Sequence, residues 1–301
     1  MFIKGIFIYQ QFEMRKKKEI DLATIESFYV ESIDGIKGLA QLPDNSIKLL
    51  YGSPPYPNAV RNYGNWNERV YIEKIADFID QIVPKLRDDG FLVINVKANR
   101  TRCRKGVNSC RSLVVEKLAI ALEERWNLYC VDIEIWVKSN PVPTGLKVAC
   151  QDAYEQNLWF SKSPDWKINI DAIRVPYKES SITKYKTSEY HPRTNGLGYV
   201  TKSKWINPNP LGALPKNVIY GSVATNDTGH QAVQPEYLAE KYINAVTNEG
   251  DLVVDPWLGT GTTGKVAVRL GRLFVGFDIV KEYVDIARQR IATELNDEKK
   301  D

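Results

Sequence analysis

The sequence predicts an α/β fold in which a largely parallel sheet carries helices on both faces and is broken by one irregular insertion. Three observations carry this. Short apolar runs of strand length alternate with segments whose apolar residues return at helical spacing. A glycine turn, Gly259-Thr-Gly261-Thr-Thr-Gly264, follows one of those runs and opens a helix. From about Tyr177 to Tyr220 the periodicity vanishes, and Gly, Pro, Asn, Ser, Thr, Lys and Tyr dominate.

Taken in order, Ser46-Ile-Lys-Leu-Leu-Tyr51 reads as a buried strand that ends at the turn Gly52-Ser53-Pro54-Pro55. Residues Arg69 to Leu86 place Val70, Ile72, Ile75, Phe78, Ile79, Ile82 and Val83 near helical spacing, and Asp88-Asp89-Gly90 closes that segment. Phe91 to Val96 is a second strand, and Ser112 to Arg125 a helix. Strands follow at Tyr129 to Val137 and Asn157 to Ser161. Beyond the insertion come a helix near Pro235 to Val246, the strand Asp251 to Asp255, the glycine turn and its helix, the strand Arg272 to Asp278, and a last helix to about Glu294.

A chain of 301 residues with 43% hydrophobic content can bury one sizeable core. The expected organisation is an N-terminal extension over residues 1–21, a catalytic body over 22–176 and 221–295, the insertion over 177–220, and a frayed charged tail over 296–301. Met14, directly before the basic run Arg15 to Lys18, leaves the start open between Met1 and Met14. A formal charge of +4 is too mild to demand a polyanion partner, so the distribution of charge matters more than its sum. Cys103, Cys110, Cys130 and Cys150 form no CxxC pair, and with two histidines no zinc spacing can be drawn. They are expected as reduced thiols of a cytoplasmic protein without a metal. No stretch reaches the roughly 20 apolar residues of a membrane span.

The strongest local signal is Leu252-Val-Val-Asp255-Pro256-Trp257-Leu-Gly259-Thr-Gly261-Thr262-Thr263-Gly264. Glycines let a backbone approach a ligand closely, and the helix N-terminus beyond them offers unpaired N–H groups. Three readings fit: a plain strand-to-helix turn, a dinucleotide site, or an adenosylmethionine site. Asp255 and Pro256 stand where the dinucleotide fingerprint has apolar residues, and a carboxylate there suits a ligand that carries an ammonium group. Asp278, at the end of the next strand, is placed to accept ribose hydroxyls.

Ser53-Pro54-Pro55-Tyr56 also follows a strand end. Two prolines fix φ and remove donors, so this corner is stiff and presents carbonyl oxygens. The exocyclic amine of a nucleobase is a poor nucleophile because its lone pair is delocalised into the ring. Acceptors aimed at the amine hydrogens favour the pyramidal form found only in the transition state. The Ser53 hydroxyl and Pro54 carbonyl can serve so, and the Tyr56 ring can stack on an extruded base.

Together the two motifs resemble the DNA amino-methyltransferase family, with an (Asp/Asn/Ser)-Pro-Pro-(Tyr/Phe) catalytic motif and an Asp-Pro-Phe-x-Gly-x-Gly-Thr-Thr cofactor loop. Catalytic motif first and cofactor motif last is the order of its β class. The likeness runs from about Leu42 to Ile291. Leu42 to Leu50, Ile135-Trp136-Val-Lys138-Ser-Asn140-Pro-Val-Pro143, and Gly229-His230 through Gln234-Pro235 resemble further family elements. Trp257 stands where phenylalanine is usual. The resemblance implies a Rossmann-like sheet with a target-recognition insertion, S-adenosylmethionine as methyl donor, and duplex DNA as substrate. It assigns Ser53, Pro54, Pro55 and Tyr56 to the target base, Asp255, Pro256, Trp257, Gly259, Gly261, Thr262 and Thr263 to the cofactor, and Asp278 to its ribose. Serine in the first catalytic position is the form usual among cytosine-N4 enzymes. Adenine N6, or a non-catalytic DNA-binding relative, is the alternative.

Lys97, Arg100, Arg102 and Arg104 form one basic stretch, and Lys184, Lys186, Arg193, Lys202 and Lys204 lie in the insertion among tyrosines, a composition suited to phosphates and bases together. Arg61, just past the diproline corner, is a further candidate for DNA contact. A cognate restriction endonuclease and a second copy of the chain stand open as partners. The whole reading requires the diproline corner and the glycine loop to open onto one pocket.

Overall fold

The structure is a computed structural model that describes residues 19–57, 66–102, 109–141, 149–182, 193–194, 200–201, 208–224 and 233–298. Arg61, Arg104, Lys184, Lys186, Lys202 and Lys204 lie outside the described residues.

Eight strands form the main sheet: β1 (Phe28–Ser32), β2 (Ile47–Gly52), β3 (Leu86–Val96), β6 (Tyr129–Lys138), β7 (Tyr154–Ser161), β10 (Val218–Gly221), β11 (Leu252–Asp255) and β12 (Leu273–Asp278). Their spatial order is β1-β12-β11-β2-β3-β7-β6-β10. All neighbours are parallel except β7, which runs against both β3 and β6. Two short hairpins stand apart: β4 (Arg100–Arg102) with β5 (Ser109–Arg111), and β8 (Arg193–Thr194) with β9 (Val200–Thr201).

Alternation along the strands sends side chains to two separate cores. Leu50, Leu92, Ile94, Leu158, Phe160, Val254 and Phe277 meet α1 (Gly35–Leu39), α2 (Glu68–Lys85) and α3 (Val114–Trp126) on one face. Leu49, Tyr51, Phe91, Val93, Trp159, Val253 and Phe274 meet α4 (Glu236–Val246), α5 (Thr262–Arg269) and α6 (Lys281–Glu298) on the other. Each such side chain, fully buried, contributes roughly 1.5–3 kcal/mol. The predicted two-sided architecture is therefore present.

Helix ends show why the elements stop where they do. The carbonyls of Pro84 and Lys85, at the end of α2, accept from the amides of Asn45 and Ser46 at 3.0 and 2.9 Å, which lets β3 begin at the next residue. Helix α3 ends at Asn127, left-handed with φ 52°, and the Leu128 amide reaches back to the Leu122 carbonyl.

Several expectations shift. Strand β3 starts five residues before Phe91, because Leu86 pairs with Ile47 across an irregularity in register. Strand β7 begins at Tyr154 rather than Asn157. Strand β1, helix α1 and the hairpin β4–β5 were not anticipated, being short and weakly periodic. Val218–Tyr220, the end of the expected insertion, pair with β6. Ile20, within the expected extension, is buried, and its amide bonds the Gln41 carbonyl at 2.8 Å. The charged end stays helical through Glu298. Cys130 and Cys150 are free, whereas Cys110 is disulfide-bonded, against the expectation of a thiol there. Among the described residues no helix is long and apolar enough to cross a membrane.

Candidate active site

Strands β2 and β11 lie side by side in parallel, Leu49 opposite Val253 and Leu50 opposite Val254. Their carboxyl ends therefore open on the same edge of the sheet, where ligands of such folds bind. From β2 the chain leaves through Gly52 into Ser53-Pro54-Pro55-Tyr56, and from β11 through Asp255 into the glycine loop. A Cβ on Gly52 would lie 2.5 Å from an Asp255 carboxylate oxygen, so only glycine permits the two corners to approach this closely.

A single cavity of about 320 Å³ joins them. Ser53, Pro54, Pro55 and Tyr56 line it, as do Asp255, Pro256, Trp257, Gly259, Thr262, Thr263 and Asp278. Gly261, the remaining loop glycine, caps α5 with φ +80° and brings no side chain of its own to the helix start, whose first amides can therefore face a ligand. Sequence reading missed a wall of this cavity. Asp34, Trp66, Lys74, Asp77 and Phe78 arrive from α1, α2 and the segment before it, with the Trp257 and Phe78 ring centres 5.0 Å apart. No motif marks them, because their shared position exists only after the helices have packed.

Both acids of this corner are held chiefly by backbone amides. Asp255, 4% exposed, accepts from the Trp257 amide at 3.0 Å and the Thr263 hydroxyl at 2.8 Å. Burial pushes its carboxyl up to about 7 in spite of those donors, with Asp278 adding to the rise. Asp278 accepts from the amides of Gly259 at 2.8 Å and Val280 at 2.9 Å, and burial raises it too. Each carboxylate oxygen keeps a lone pair for a ligand.

At the other corner, Tyr56 is tied down from behind. Its hydroxyl lies 2.7 Å from Glu155 Oε2 and 2.9 Å from Asn95 Oδ1, and a side-chain hydrogen bond joins it to Ser53. Burial, reinforced by the Glu155 charge, holds the phenol well above its usual range, so it stays protonated.

Other candidates fall on either side of this pocket. Lys97 directly follows β3, on the edge of the sheet where the cavity opens, and Arg100 and Arg102 belong to the hairpin strand β4 just beyond it. Arg193 lies in β8. Among the described side chains, neither Lys97 nor Arg100 lines the cavity.

The model of the N6/N4 methyltransferases, described as DNA methylase, matches residues 47–289, and so spans both corners and the cavity between them. The chain belongs to this DNA methylase family. It is 31% identical over 268 residues to the type II methyltransferase M.BglII of Bacillus subtilis, covering 87% of this chain and 68% of that one. It is 26% identical over 272 residues to M.PvuII of Proteus hauseri, covering 83% and 80%. Among solved structures, the cytosine-N4-specific PvuII DNA methyltransferase superposes with a TM-score of 0.67 at 22% identity, over 91% of this chain and 93% of that one. TTHA0409 of Thermus thermophilus, complexed with S-adenosyl-L-methionine, gives 0.59 at 20% identity, over 89% and 94%.

S-adenosylmethionine is the cofactor of this DNA methylase family. The cavity fits it on the chain's own terms. Two buried donors that line it, Gln234 Nε2 and Trp257 Nε1, find no partner among the described residues. Unpaired buried donors are costly unless a ligand meets them. Aromatic walls, carboxylates and helix-start amides suit a molecule that is part purine, part sugar and part cation.

Proposed function

We propose that this chain transfers a methyl group from S-adenosylmethionine to the N4 amine of cytosine in duplex DNA, after flipping the base out of the stack. The observation that supports it is the serine of Ser53-Pro54-Pro55-Tyr56 on the cavity wall, opposite the glycine loop. Serine at this place is the form usual among cytosine-N4 enzymes, and the relative described as cytosine-N4-specific, PvuII, shares the fold.

In this reading Asp255, Pro256, Trp257, Gly259, Gly261, Thr262 and Thr263 hold the methionine part of the donor, and Asp278 the ribose. When bound, S-adenosylmethionine supplies an electrophilic methyl on a sulfonium. The Ser53 hydroxyl and Pro54 carbonyl accept from the target amine and draw its lone pair out of conjugation as the new bond forms. Pro55 keeps the corner rigid, and the Tyr56 ring stacks on the base. With donor and amine so aligned, positioning carries most of the acceleration.

Lys97, Arg100 and Arg102, which follow β3, contact phosphates, as do Arg61 and Arg104, and Lys184, Lys186, Arg193, Lys202 and Lys204 serve target recognition from residues 177–220. Likeness to type II methyltransferases supports a role in a restriction–modification system, with a cognate endonuclease as partner.

Incubating the protein with labelled S-adenosylmethionine and unmodified bacterial DNA, followed by nucleoside mass analysis, tests the assignment. N4-methylcytosine is expected. Label found only on adenine N6 would replace the base assignment with the alternative, and no label on DNA would reject both.

A further inference from the structure

Behind Tyr56 lies a group of buried polar side chains that the reaction outlined above does not use. Asn95 stands opposite Asn157 in the β3–β7 register, and Glu155 opposite Trp136 in the β7–β6 register. Residues two apart on a strand share a face, so Asn95, Asn157, Glu155, Trp136 and Lys138 crowd one side of three adjacent strands. Glu155 is only 4% exposed, and its Oε1 is ion-paired with Lys138 Nζ, whose side chain is 17% exposed. The other oxygen, Oε2, is the one 2.7 Å from the Tyr56 hydroxyl. Asn95 Nδ2 donates to Asn157 Oδ1 at 3.0 Å and so holds its own oxygen toward the same hydroxyl.

A buried ion pair is a poor source of stability, since apolar residues of similar volume do as well or better. Its value here is directional. One phenolic proton serves one acceptor at a time, and the charged, shorter contact to Glu155 is the stronger. Lys138 fixes the carboxylate, the carboxylate fixes the hydroxyl, and the hydroxyl sets the ring and the neighbouring Ser53 side chain.

Resting on the methyl-transfer reading of Tyr56, we infer that Glu155, oriented by Lys138, is a positioning residue that holds the Tyr56 ring where the extruded base must stack. It touches neither substrate nor cofactor. It acts on the rate through the tyrosine hydroxyl, and no cofactor contact depends on it.

A double-mutant cycle tests this in the full chain, with single-turnover methylation of a DNA the wild type modifies and S-adenosylmethionine affinity as paired readouts. Replacing the ion pair by the apolar pair Glu155→Leu with Lys138→Met, which leaves no lone charge, should slow methyl transfer by about 30-fold, within the coupling range seen for contacting residues. Glu155→Gln keeps an acceptor for the hydroxyl and should cost only about fivefold. Cofactor affinity should stay within about twofold in both. In a Tyr56→Phe background, where the hydroxyl is gone, the apolar pair should cost less than about threefold more. An undiminished loss in that background, or a rate loss matched by an equal loss of cofactor affinity, overturns the inference. A Tyr56→Ala protein of full activity gives a different result: it removes the stacking role on which the inference rests.

Discussion

The two corners of the active site are built by opposite means. The cofactor corner is made almost wholly of backbone: Asp255 and Asp278 are held by amides of the loop they serve, and the fold depends on glycine at Gly261. The diproline corner is a short stiff turn whose tyrosine is aimed by side chains from β3 and β7. A backbone site is specified by a contiguous stretch of sequence, whereas a side-chain site is assembled from strands distant along the chain. The two should therefore fail differently.

The sharpest test of that contrast is Ser53→Ala. Loss of one acceptor aimed at the reacting amine should lower kcat about 100-fold, as with the loss of one donor from an oxyanion hole. Cofactor affinity, measured by titration calorimetry, should not move. Equal losses in both would mean the corners are not separable.

Gly261→Ala should do the reverse. A Cβ there would meet the Ala287 Cβ at 2.7 Å, in a backbone with φ +80° that side chains rarely adopt. Strain and crowding together should cost about 2 kcal/mol of stability. Thermal melting should show a drop in Tm, and cofactor affinity should fall with it.

The smallest effect is one of pH. With its pKa raised to about 7, Asp255 holds a proton below neutrality that the unfolded chain would release near 3.8. Its contribution to the stability of the ligand-free fold is complete below pH 3.8 and is lost as pH rises through 7. A cationic ligand prefers the ionised form, so the sign is opposite for binding: affinity for S-adenosylmethionine should weaken by up to about tenfold per pH unit below 7 and level off above it. Asp255→Asn should flatten that profile in a calorimetric titration series. A wild-type affinity that does not change between pH 6 and pH 8 would show the carboxylate taking no part.

The same contrast explains what the sequence disclosed. Leu252 to Gly264 spells out strand, turn and helix start in thirteen consecutive letters, and Leu49, Tyr51, Leu92 and Val254 declare two-sided strands by composition. Glu155 was hidden, since the stretch Tyr154 to Gln156 mixes polar residues and reads as the loop before a strand. Only the β6–β7–β3 pairing brings it beneath Tyr56. The pocket wall of Trp66, Asp77 and Phe78 was equally silent, because Phe78 reads as ordinary core until α2 is seen to end its apolar face at the cavity.

One consequence follows from the hydrogen-bonded pairing of β2 with β11. Donor and acceptor sites are spaced by a sheet ladder, so the distance between the two strand ends is set once the chain has folded. Heating should then abolish methyl transfer in the same cooperative event that melts the sheet, without a prior temperature range in which a folded protein has lost its register between the two halves of the reaction.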